Sequence, residues 1–285
     1  MNLTVYKDEK VNALRVSRIT KIEQEMPFRG LGIKYVVSGE ETYYSKKRKF
    51  TVSRGEYLIG NDFTESVVKI NNTVPVEGIC IDVSGQIVSE VADYYDSDNR
   101  GLKEFLLSEQ LFVNRYNESR TCIGNQLRYI NKQLRGGSID QDFAQNEFFY
   151  SLAESLVRDQ LFVFNHLQKL CFKKVLTNEE IFRAILSAKD LVDERYMDKL
   201  SLDDLALKAG ISKYHFVRVF KSVFGKSPYG YQKSSRLRHA REELVRGRSA
   251  NDVAGLFAYA DLPTFSKAFK KEFGYSPTHL KKGNF

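Results

Sequence analysis

Apolar positions fall into two regimes along the chain. Between residues 28 and 83 they come in short runs broken by turn signals, and from about residue 117 onward they recur at spacings of three and four. The first regime predicts antiparallel strands at 32–37, 41–44, 49–52, 57–59, 67–70 and 79–83, with hairpin turns at Ser38-Gly39, Lys46-Lys47 and Arg54-Gly55. Several short strands at this spacing imply an antiparallel sandwich or small barrel. The second regime predicts helices at about 117–172. One carries Ile123, Leu127, Ile130 and Leu134 on a single face, and the next runs from about 141 to 172 with Phe148, Phe149, Leu152 and Leu156. Such stripes either cover a sheet and one another or form an interface with a second copy.

Further along, the pattern copies itself. FVRVFKSVFGKSP at 216–228 returns as FSKAFKKEFGYSP at 265–277, at a constant offset of 49. In the first copy Phe216, Val219, Phe220 and Val223 fall at i, i+3, i+4, i+7 and mark a buried helix face. The opposite face is Tyr214, Val217, Arg218 and Lys221. Ser212 is placed to cap the helix start and Gly225 to end it. Upstream, 201–206 predicts a short helix, with Gly210 in the turn between the two, which makes a helix-turn-helix. In the second copy Asn251 or Asp252 starts the short helix, the turn lies at 258–260, and Asp261 caps a helix that buries Phe265, Ala268 and Phe269 and exposes Pro263, Ser266, Lys267 and Lys270. One long helix, 228–248, is expected between the copies. The predicted fold is thus α+β: strands and following helices first, an all-α domain of two helix-turn-helix units last.

Charge sharpens the division. Of the net +8, residues 1–178 carry +1 and residues 179–285 carry +7. A basic paired-helix domain beside a nearly neutral one fits a polyanion partner for the former alone. A helix in a major groove needs cations for phosphates and long donors for base edges on the face away from its own core, and both copies offer that.

These residues resemble the DNA-binding domain of the AraC/XylS family of bacterial transcription regulators. The resemblance is carried by Ala206 with Gly210-Ile-Ser212, Phe216-x-Arg218-x-Phe220-Lys221, Gly225-x-Ser227-Pro228, Arg236-Leu237 with Ala240 and Leu244, and the second copy through Pro277. It implies seven helices, promoter DNA and RNA polymerase as partners, and an activator more often than a repressor. Base contacts map onto Tyr214, Val217 and Arg218 in the first unit and Leu262, Pro263, Ser266 and Lys267 in the second. Lys213, Lys221 and Lys270 are expected at phosphates. The chain departs from the family pattern at Ala258-Tyr259, where Gly-Phe is usual, and at Pro263, where Ser is usual.

The domain boundaries that follow are 1–172 for a cupin-like sensor or dimerisation domain, 173–178 for a linker and 179–285 for the double helix-turn-helix. Tyr35, Tyr43, Tyr44 and Tyr57 either line a small-molecule pocket in the first domain or fill its core. The face of Ile123, Leu127, Ile130 and Leu134 is the candidate homodimer surface. Regulation by a small-molecule effector stands beside regulation by abundance or a protein partner. An enzyme is not expected, and neither are catalytic residues, metal or cofactor. His166, His215, His239 and His279 all lie outside the strands, and Cys80, Cys122 and Cys171 are scattered without zinc-site spacing, which makes a DNA-repair enzyme on the same DNA-binding domain remote. No run of roughly 20 apolar residues and no signal-like start appears, so a soluble, cytoplasmic protein is expected.

Overall fold

The structure is a computed structural model that describes residues 2–9, 11–45, 48–96, 101–136, 146–169, 175–198 and 200–282. The turn expected at Lys46-Lys47 and the thiol of Cys171 lie outside the described residues. The chain divides into two compact units, Met1–Lys169 and Leu170–Phe285.

Among the described residues the first unit is built on antiparallel strands β1 (Asn2–Lys7), β2 (Ala13–Glu25), β3 (Leu31–Ser38), β4 (Glu40–Ser45), β5 (Arg48–Ser53), β6 (Glu56–Asn61), β7 (Val67–Val83) and β8 (Arg115–Asn117). The expected strands at 67–70 and 79–83 are one strand. Its first part pairs with β4, from Thr42↔Lys69 to Tyr44↔Val67, and its last part with β3, from Leu31↔Val83 to Ser38↔Glu77. β2 follows it along both parts but slips register between Ile19↔Val76 and Lys21↔Asn71, so residues 72–75 bulge out. Pro75, which has no amide hydrogen to give a ladder, sits in that bulge.

Alternation along the strands sends Val36, Tyr43, Val52, Leu58, Val68, Ile70 and Val76 inward, where Phe28 from the segment between β2 and β3 joins them in one core cluster. Among the described residues this unit also carries the α-helices α1 (Gly85–Tyr95), α2 (Leu102–Leu107), α3 (Cys122–Arg135) and α4 (Asn146–Lys169). The Asp159 carboxylate on α4 accepts the Cys122 and Ile123 amides at 2.9 and 3.0 Å, so it holds the α3 N-terminus, where unpaired N–H groups favour an anion.

In the second unit α5 (Val175–Glu194) begins inside the segment expected as a linker; that stretch holds no Gly or Pro to interrupt it. After it come α6 (Leu202–Lys208), α7 (Lys213–Phe224), α8 (Pro228–Val245), α9 (Ala250–Leu256), α10 (Leu262–Phe273) and a closing 3-10 turn (Pro277–Lys282). α8 serves both copies. Tyr231 near its start packs on Phe220 and Phe224, with ring centroids 5.7 and 5.6 Å away, and Leu237, Ala240 and Leu244 join Val253, Phe257, Phe265 and Phe269 in one cluster. No helix among the described residues is long and apolar enough to cross a membrane.

Candidate nucleic-acid interface

Helices α7 and α10 have bounds 49 residues apart at both ends. Ser212 Oγ accepts the His215 amide at 3.3 Å, and Asp261 Oδ1 accepts the Thr264 amide at 2.7 Å, so each helix start has one orphan donor satisfied. Gly225 and Gly274 end them at φ +72° and +83°, a left-handed conformation that glycine adopts without a Cβ clash. The α9 cap differs from expectation. Ser249, not Asn251 or Asp252, takes the role, accepting the Asp252 amide at 3.1 Å.

Each helix is anchored by two aromatic rings, Phe216 and Phe220 at 5.8 Å and Phe265 and Phe269 at 5.6 Å, all four fully buried. That anchoring decides what the opposite side presents. Tyr214, Arg218 and Lys221 are exposed in the first copy, as are Pro263, Lys267 and Lys270 in the second, while Val217 and Ser266 are half-buried in matching positions. Among the described residues Arg218, Lys221, Lys267 and Lys270 make no ion pair, which leaves four cations for an external anion. Lys213 differs. Its Nζ lies 2.8 Å from the Asp203 carboxylate on α6, which raises its pKa and spends its charge within the first copy. Leu262 also departs from the expected face, since it is half-buried against the Leu237–Phe269 cluster.

The turns are not copies. Gly210 is the left-handed residue of the first, at φ +64°, whereas the second turn is one residue longer and places Ala258 at φ +56°. Pro263 is accommodated in the first turn of α10, where its missing N–H has no intrahelical partner to lose.

Two polar ties hold the copies in one frame. Lys226, just past α7, donates to Ser234 Oγ on α8 at 2.6 Å and to Glu272 on α10 at 2.7 Å. Burial raises the Glu272 pKa, but the Lys226 and Ser234 hydrogen bonds outweigh it and hold the carboxyl below its usual value. On the other side of α8, Ser235 and Tyr231 donate to Asp193, Gln232 donates to the Asp198 carbonyl at 2.7 Å, and Arg236 donates to the Tyr196 carbonyl at 3.0 Å. Arg236 is therefore a fastening between α8 and the chain after α5.

In the first unit the four tyrosines expected at a pocket part company. Tyr35 and Tyr43 border a cavity of about 100 Å3 inside the strands. The Tyr35 hydroxyl is turned to Glu118, and the Tyr43 hydroxyl donates to Glu41 at 2.6 Å. Tyr57 lies fully buried elsewhere, bonded to Thr121 at 2.8 Å, and Tyr44 is exposed, because it follows Tyr43 on the strand and takes the other face. The cavity's charged lining, Arg15, Lys34 and Glu41, was not among the expected residues. The expected dimer face is also corrected: Ile123, Leu127 and Ile130 are fully buried within the unit and Leu134 is half-buried, so the stripe is core. Among the described residues no three His, Cys, Asp or Glu side chains gather as a metal set.

A family model described as a helix-turn-helix domain matches residues 205–283. The right origin-binding protein of Escherichia coli is 38% identical over 91 residues, 31% of this chain and 32% of that protein, so the match spans about a third of that relative. Probable transcription factor PqrA of Proteus vulgaris is 31% identical over 84 residues, 29% of this chain and 69% of PqrA. Among solved structures, ToxT from Vibrio cholerae aligns over 94% of this chain and 97% of its own at 12% identity with a TM-score of 0.37, too loose a likeness to bear on either unit. With the helix-turn-helix match falling on the duplicated, capped helices, and PqrA matched over more than two thirds of its length, the chain belongs to the AraC/XylS family of bacterial transcription regulators.

Proposed function

We propose that this regulator binds promoter DNA sequence-specifically by laying α7 and α10 into successive major grooves on one side of the duplex, about 34 Å apart, and that it activates transcription through contact with RNA polymerase. The observation that carries the reading is the matched pair of helices, capped and ended at positions 49 apart, each turning unpaired cations outward on the same face. Arg218 is the strongest base reader on that face, because a guanidinium can donate twice to guanine O6 and N7. Tyr214, Val217, Pro263, Ser266 and Lys267 supply the remaining base contacts, and Lys221 and Lys270 the phosphate contacts. The first unit supplies control, with the cavity inside its strands as the place for a small-molecule effector.

Selection of bound fragments from random genomic DNA by the full chain tests the reading. The expected outcome is a two-part motif with centres about 10 bp apart. Arg218→Ala should then cost about 1–3 kcal/mol on the selected site and relax preference at one base pair. Salt-sensitive binding with no enriched motif would reduce the protein to a nonspecific DNA binder.

A further inference from the structure

Strand β3 is buried along almost its whole length, and Lys34 lies in the middle of it, 3% exposed. Such a cation is rare unless a counter-charge meets it, because stripping water from an ammonium is costly. Among the described residues no protein group forms an ion pair or hydrogen bond with Lys34. Its recorded contact is with the Phe28 ring, whose centroid is 5.2 Å from Nζ. Register explains its surroundings. Lys34 stands opposite Cys80 on β7, and Cys80 opposite Arg15 on β2, so the three share one face of the sheet. Arg15 is already paired with Asp82. Among the described residues Lys34 is therefore the cavity cation without an ion pair. Glu41, 6% exposed, is a carboxyl with no ion pair among the described residues. It accepts from Tyr43 and feels the field of Lys34, but the two do not pair.

The cavity has two kinds of wall. Arg15, Ser17, Lys34, Glu41, Tyr43 and Cys80 are polar, and Ile19, Ile22, Met26, Val68 and Ile70 are apolar. Its volume, about 100 Å3, is below the roughly 150 Å3 of an engineered cavity that takes benzene, which limits an occupant to a handful of heavy atoms.

We propose that this cavity binds a small α-amino or α-hydroxy acid, its carboxylate on the Lys34 ammonium, its α-amino or α-hydroxyl donor on the Glu41 carboxyl, and its short aliphatic part against Ile22, Met26 and Ile70. One molecule of this class would meet the unmet ammonium and the half-met carboxyl together, whereas a plain carboxylic acid would leave Glu41 without a second donor. The inference deepens the proposed role of the first unit as the controlling one. It concerns a step that can be measured without DNA.

The test is thermal unfolding of the full chain with alanine, lactate, glycerol or propionate at about 10 mM, followed by calorimetric titration of whichever ligand shifts the midpoint. Alanine or lactate should raise the midpoint by a few degrees, glycerol and propionate by less, and the rise should vanish in Lys34→Met. Should Lys34→Met fail to fold, Glu41→Gln replaces it, with an expected loss of at least tenfold in affinity for alanine. No shift with either acid, or a shift that survives both substitutions, overturns the proposal, and propionate acting as well as lactate overturns the role of Glu41. Because these readouts contain no DNA, failure here leaves the selected DNA motif standing, and failure of the motif leaves the cavity standing.

Discussion

Ala258 holds a left-handed backbone at φ +56°, where an L side chain costs about 1–2 kcal/mol through its Cβ. Replacing it with glycine removes that cost but enlarges the unfolded ensemble by about 0.4–1 kcal/mol. The first term wins, so Ala258→Gly should stabilise the chain by about 0.5–1 kcal/mol, visible as a higher urea midpoint; an unchanged midpoint would mean the turn relaxes freely. Glu41 makes a prediction of the opposite kind. Burial pushes its carboxyl above the usual 4.5, against the smaller opposing pulls of Tyr43 and Lys34. A carboxyl with a raised folded pKa favours the fold below its unfolded value and loses that contribution as pH climbs past the folded one. Glu41→Gln should therefore unfold at higher urea than the parent at pH 7.5, with the gap closing towards pH 4.5. These residues also show what the one-dimensional pattern can and cannot say. Tyr35, Tyr43, Tyr44 and Tyr57 stand out by composition, yet alternation and nonlocal pairing decide which of them see the cavity. The more telling signal was one lysine in an apolar strand, Lys34 among Ile33, Tyr35, Val36 and Val37.

At the scale of elements, α7 and α10 were legible to the residue because everything that defines them is local: a cap, a period and a terminal glycine. The sheet was less so. β2 turns polar after Ile19, and its partner β7 lies more than forty residues away, so neither alternation nor a nearby turn advertises it. Pro75 reads as a break between two strands because the bulge that accommodates it exists only in the paired sheet. On the proposed reading, Lys270, exposed on α10 and without an ion pair among the described residues, meets a phosphate. Lys270→Ala should weaken binding to all DNA sequences alike and reduce the slope of log affinity against log salt by about one unit, measured by fluorescence anisotropy over a salt series. A slope equal to the parent's would return Lys270 to plain solvent.

For the whole molecule, the division of labour follows charge. Residues 179–285, which hold the repeated helices and lie in the second unit, carry +7 of the net +8, and the first unit encloses a small cavity of mixed polar and apolar lining within its strands. Lys226 gives this arrangement a metric consequence. By joining Ser234 and Glu272 it fastens the end of the first copy to the second, so on the proposed reading the distance between the two recognition helices is a property of the protein and not something the DNA negotiates. The chain then acts as a ruler with two marks. One base pair inserted between the half-sites turns the second mark by about 35° around the duplex axis, and binding to that longer site should fall to the level of a single half-site. Lys226→Met, with the fastening undone, should lose affinity for the correctly spaced site and tolerate the longer one comparatively better. Equal ratios for parent and variant would mean that hydrophobic packing along α8 alone sets the gauge.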